Sequence, residues 1–180
     1  MDDALTDVSK IRKALKKFDK ETFDERYERI AFLDKLIGKS EYRPTPFFAA
    51  EYFEEAKSCF INGDFIVSII MCQLVCEEML KDPYRFTGEV KVVDSYGFAD
   101  LIEKAQDDSF ISADDACKLH KMRKFRNLME HTKDFSHKKY SLRFISQHKL
   151  LLESEKQAKE SVKLMIKLMN QLSFLYEHSS

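Results

Sequence analysis

Glycine and proline are scarce in this chain, at 4 and 3 in 180 residues. Turn chemistry leans on both, so their scarcity favours long helices joined by few connectors. No charge of one sign dominates: the formal net charge is -1. Bulk field therefore gives no pull on a polyanion, and any nucleic-acid reading must rest on local clustering. The longest apolar run, FIVSIIMCQLVC from Phe65 to Cys76, is 12 residues long, whereas a membrane-spanning helix needs about 20. That run reads as a buried core helix, and no membrane is expected as a partner. The opening MDDALTDVSK is acidic and lacks the apolar core of a secretory signal. The four cysteines, Cys59, Cys72, Cys76 and Cys117, then read as free thiols in a reducing cytosol, and the expected location is cytoplasmic. Cys72 and Cys76 share a helix face without companion ligands, so no metal is expected. No glycine-rich phosphate loop or Gly-x-Ser-x-Gly elbow is present.

What is present is charge in helical register. Hydrophobic residues make up 44% of the chain and charged ones 34%, and many charges lie three or four apart with opposite sign, as on a solvated helix face. The expected fold is all-α. Residues 3–18 read as one helix, with Leu5, Val8, Ile11, Leu15 and Phe18 as its stripe, and about 22–37 as a second that stops at Gly38. KSEYRPTP carries two prolines in eight residues and reads as a linker. It separates an N-terminal helical arm, residues 1–40, from a main helical domain, residues 45–178.

The main domain opens with a helical hairpin whose turn is Asn62-Gly63-Asp64, with the Asp64 carboxylate expected to cap the second helix. That second helix, 65–81, is apolar on most sides and should be central. The stretch 82–97 breaks the periodicity with Pro83, Gly88 and Gly97, and EVKVV suits a short extended piece. A short helix follows at 98–106. The next is capped by Ser112 and runs to about His131, and the last spans about 142–176.

The helix from Ser112 to His131 carries the candidate chemistry. At 100° per residue, Leu119, Met122, Phe125, Leu128 and Met129 share one broad apolar face. His120, Arg123, Asn127 and His131 form a polar stripe on the opposite side, and Arg126 sits on the rim, long enough to reach across. Asn127 and His131 are four apart, so the amide can orient the imidazole. From Cys117 to Arg143 there are nine Lys or Arg against two acids, Glu130 and Asp134, a local excess of seven positive charges. A cationic strip with an ionisable histidine suits a phosphodiester. Glu77 and Glu78 close the central helix, and one of them is expected to pair with this basic face.

Arg126-Asn127-x-x-x-His131 resembles the Arg-x4–6-His signature of the HEPN superfamily, including the polar residue after the arginine. NGDFIVSIIMCQLVCEEMLK resembles the HEPN central helix, and FADLIEKAQ with ISADDACKLHKMRKFRN resembles the approach to the signature. The resemblance covers about residues 45–178 and leaves the arm outside it. It implies an up-and-down bundle of about five helices with an N-terminal extension, and a metal-independent, cofactor-free RNA endonuclease acting as a homodimer with a composite cleft. By the same resemblance Arg126 holds the scissile phosphate, His131 serves as general acid or base and Asn127 orients His131 or the phosphate. His120, Lys121, Arg123, Lys124 and Lys133 are the expected RNA-binding residues. The products are a 2′,3′-cyclic phosphate and a 5′-OH, in a bacterial defence or stress setting, with an antitoxin or regulatory protein as partner. In one departure, Lys133 stands where toxins paired with nucleotidyltransferase antitoxins often carry a tyrosine. The alternative is a non-catalytic HEPN-like module that binds a partner protein, a nucleotide or RNA.

Overall fold

The computed structural model describes residues 2–38, 47–88, 93–130 and 147–177. They form six α-helices: α1 (Asp2–Ile37), α2 (Phe47–Asn62), α3 (Phe65–Phe86), α4 (Phe98–Asp107), α5 (Ala113–Glu130) and α6 (Gln147–Glu177), with no strand among the described residues. The all-α expectation holds. No helix among the described residues is long and apolar enough to cross a membrane.

The α3 helix sits at the centre and packs against α2, α4, α5 and α6. Its Ile69, Cys72, Val75, Cys76, Met79 and Leu80 are all buried, as an all-round apolar sequence requires. The α6 helix presents Val162, Met165, Ile166, Met169 and Leu172 to the same core, the stripe its periodicity predicts. The side chain of Leu175 and residues 142–146 lie outside the described set.

The α2–α3 turn is built as its residues dictate. Gly63 has φ +86°, a region that glycine enters without penalty. The Asp64 N–H donates to the Cys59 carbonyl (2.9 Å) and the Gly63 N–H to that of Phe60 (3.3 Å), the paired bonds of a Schellman ending. The expected carboxylate cap is corrected, however. Asp64 stands at the N-cap of α3, but its side chain makes no capping bond, and only its carbonyl accepts from the Ser68 N–H at 2.9 Å.

The two helices expected at 3–18 and 22–37 are one, α1, of 36 residues. No glycine or proline interrupts it, and the Thr22 hydroxyl donates back to the Phe18 carbonyl at 2.9 Å across the expected break. Gly38 ends α1 as expected, its N–H donating to the Asp34 carbonyl at 2.7 Å. The last turns of α1 dock on the α2–α3 hairpin. Leu33 is buried there, and the Phe32 ring packs tilted against that of Phe60, with centroids 5.6 Å apart. Arg29 is buried too. It donates to the Ile61 carbonyl (3.1 Å), pairs with Glu25 (2.8 Å) and lies over the Phe65 ring at 4.9 Å. By contrast Val8, Ile11, Leu15 and Phe18, the apolar stripe of the first half of α1, are exposed.

Pro83 does not end α3, which continues to Phe86. A proline costs a helix one N–H donor and crowds the preceding turn. The extra turn is held by tertiary contacts instead: Tyr84 is buried, packs edge-on against Phe110 at 5.3 Å and donates to the Asp108 carboxylate at 2.7 Å. The EVKVV segment falls largely outside the described residues; Val93, its last residue, is buried in the core.

One buried group conflicts with its surroundings. Gln73, in the middle of α3, is 1% exposed, and neither its amide oxygen nor its nitrogen has a partner among the described residues. An unpaired buried amide costs about 1–3 kcal/mol. Methionine has nearly the same shape without the polar atoms, so Gln73→Met is expected to raise the unfolding free energy by about 1–2 kcal/mol. Urea titration checks this, and a loss of stability would contradict it.

Candidate nucleic-acid interface

The helix α5 begins as its sequence demands. The Ser112 Oγ accepts from the Asp115 N–H at 3.1 Å and donates to the Asp115 carboxylate at 2.6 Å, so the cap and the third residue hold each other. Asp115 is fully buried and receives Lys167 of α6 at 2.5 and 2.6 Å on its two oxygens. Burial pushes this carboxyl up, but the hydrogen bonds from Lys167 and Ser112 outweigh it and leave the group below its ordinary value. This anchor fixes the start of α5 against α6.

From that anchor the predicted faces follow. Ala116, Leu119 and Met122 are buried in the core, while Phe125 and Leu128 are half-buried toward the end of the helix. On the other side His120, Lys121, Arg123 and Lys124 line one solvent-open groove of about 500 Å3, together with Cys117 and Gln106 of α4. Four of the five expected RNA-binding residues thus meet in one place. The fifth, Lys133, lies outside the described residues. Arg123 is half-buried, and its Nε is buried without a hydrogen-bond partner among the described residues.

Arg126 and Asn127 are half-buried on the same helix and lie beyond the groove's lining. His131 follows the last described residue of α5 and lies outside the described set. The structure therefore gathers the phosphate-contacting candidates and positions two of the three catalytic candidates just past them. Gln106 escaped the sequence reading. It sits at the C-terminal end of α4, and only the packing of α4 against α5 brings it to the groove.

Among the described residues the acidic pair on α3 finds its partners on its own helix. Glu77 pairs with Lys81 at 2.8 Å, and Glu78 pairs with Lys81 at 3.5 Å and Arg85 at 2.9 Å. Both glutamates thus have partners on their own helix at ordinary helical spacing. Thiol chemistry finds no place in the core. Burial pushes the Cys59 thiol up to about 11, helped by its bond to Glu55, and Cys72 up to about 12. Burial holds the Cys76 thiol well above its ordinary value too. Buried thiols of this kind stay protonated at neutral pH and are poor nucleophiles.

The chain matches no protein-family model, no curated protein and no solved structure. The functional reading therefore rests on the residues themselves.

Proposed function

We propose that the protein is a metal-independent RNA endonuclease of HEPN type that acts as a homodimer. The observation that supports this reading is the position of Arg126 and Asn127, which open the Arg-x4-His string of the sequence, on the same helix whose preceding turns line the basic groove. In this reading His120, Lys121, Arg123 and Lys124 hold the RNA backbone by charge. Arg126 forks onto the scissile phosphate and stabilises the charge that develops on it. His131, whose side-chain type titrates near pH 6.5, moves the proton of the ribose 2′-OH. Asn127 sets the orientation of the imidazole. The 2′-oxygen attacks the adjacent phosphorus, the P–O5′ bond breaks, and the leaving 5′-oxygen takes up a proton. The products are a 2′,3′-cyclic phosphate and a 5′-OH end, chemistry open only to RNA. A role in bacterial defence or stress, under a regulatory partner, belongs to the same proposal.

The test is incubation of purified protein with mixed RNA in EDTA, beside Arg126→Ala and His131→Ala. Cleavage by the unaltered protein alone is expected. Cleavage that persists in both variants removes these residues from the mechanism. A second reading, a non-catalytic binding module, draws on the exposed apolar residues of α1, which suit assembly rather than catalysis.

A further inference from the structure

The α1 helix is too apolar for a solvated arm. Val8, Ile11, Leu15, Phe18, Phe23, Tyr27 and Ile30 are between 49% and 65% exposed. Isolated exposed apolar residues are ordinary, but seven on one helix are not. Together they expose on the order of 800 Å2, the area each partner brings to a standard-size protein interface. They form two patches. Val8, Ile11, Leu15 and Phe18 lie on the side of α1 that, further along, meets the body of the protein through Arg29 and Leu33. Phe23, Tyr27 and Ile30 lie about 105° around the helix from the first patch, clear of that docked side.

Spacing relates the two patches to each other. Val8 and Ile30, Ile11 and Tyr27, and Leu15 and Phe23 are each placed symmetrically about Asp19. Charge is divided at the same point. Between Val8 and Lys20 there are six Lys or Arg against one acid, and between Glu21 and Asp34 five acids against two Arg. A parallel pairing of two α1 helices would set like-charged halves together, whereas an antiparallel one sets the basic half of each against the acidic half of the other.

We infer that α1 is a self-association helix, pairing antiparallel with α1 of a second copy, with the two-fold axis near Asp19. The inner residues of the first patch of each copy, Leu15 and Ile11, meet Phe23 and Tyr27 of the other, the self-complementary arrangement that a two-fold dimer requires. The 105° offset between patches means that the helices cross rather than lie side by side. Ile11–Leu15 and Phe23–Tyr27 are i,i+4 ridges, and packing such ridges against each other gives a crossing near 50°, the commonest class. This inference does not depend on the ribonuclease reading.

Sedimentation equilibrium of the full chain tests it. The expected mass is twice 21.2 kDa for the unaltered protein. Leu15→Glu and Tyr27→Glu, each alone, should give monomers with unchanged helix content, since both side chains are exposed. Reversing Lys13, Lys16 and Lys20 to Glu should weaken the dimer at least tenfold, as should reversing Glu21, Asp24 and Glu28 to Lys. Both reversals in one chain should restore it, because the basic and acidic halves have only exchanged places. A monomeric unaltered protein, a dimer that survives Leu15→Glu and Tyr27→Glu, or a double reversal that fails to restore pairing would each overturn the inference.

Discussion

His131→Ala is expected to lower the rate of RNA cleavage by about 10²–10⁴-fold, the range contributed by a positioned general acid–base group. Arg126→Ala is expected to cost about 10²–10³-fold, as loss of a donor to a developing oxyanion does. Arg126→Lys keeps the charge and removes the planar fork, so it should recover little of that loss. In the proposed reaction both residues act on the same phosphodiester, so the double variant should fall little further than the worse single one. Single-turnover rates on one RNA, measured with saturating protein, separate these losses from weakened binding. Lys121→Ala and Lys124→Ala mark the contrast: both side chains line the groove, so they should weaken binding and flatten its salt dependence while leaving the bound rate nearly intact.

The second large effect concerns stability. Asp115→Ala removes the carboxylate that accepts from the Ser112 hydroxyl and from Lys167, while the capping bond from the backbone N–H at 115 to the Ser112 Oγ stays. Two hydrogen bonds to a charged group are lost, each worth about 1.5–3 kcal/mol, and relief of the carboxylate's burial offsets part of that loss. The expected loss is about 3 kcal/mol, read as a fall in melting temperature of about 6–12 °C for a chain of this size. The Asp115 carboxyl lies below its ordinary value in the folded protein. Its contribution is therefore fully present above the unfolded value near pH 3.9 and is lost as pH falls through the lower folded value. Lys167→Met leaves burial largely unopposed, so the acid limb of the stability curve should move to higher pH. Urea titrations at pH 7 and in acid distinguish the two variants: Asp115→Ala should remove this pH dependence, and Lys167→Met should shift it. An Asp115→Ala protein as stable as the original would mean that this anchor is not what holds the start of α5.

Much of this architecture is legible in the chain because its signals are local. The Asn62-Gly63-Asp64 turn needs one residue at positive φ, and glycine stands there. Ser112 precedes two acids and an apolar period, and it caps α5. Where the sequence misleads, distant contacts decide. Pro83 reads as a helix end, yet Tyr84 is held by Phe110 and Asp108, more than twenty residues away, and the last turn of α3 survives. One of Glu77 and Glu78 reads as a partner for the basic face, but among the described residues both pair on their own helix, with Lys81 and Arg85. Asp115 and Lys167 stand 52 residues apart, and no periodicity links them. The groove shows the same division: His120 and Arg123 follow from the helical wheel, whereas Lys121 falls on the wheel between Leu128 and Phe125, and Gln106 enters only through packing. The exposed half of α1 is the reverse case, in which the period predicts an apolar face and no described part of this chain covers it.

The most direct measurement is cleavage of a defined RNA in EDTA, compared with the same RNA carrying a single 2′-deoxy nucleotide on the 5′ side of the cut. The mechanism predicts a 2′,3′-cyclic phosphate and a 5′-OH at the natural site, and no cut at the 2′-deoxy position. Cleavage that proceeds past the 2′-deoxy substitution, or that stops in EDTA, would contradict it.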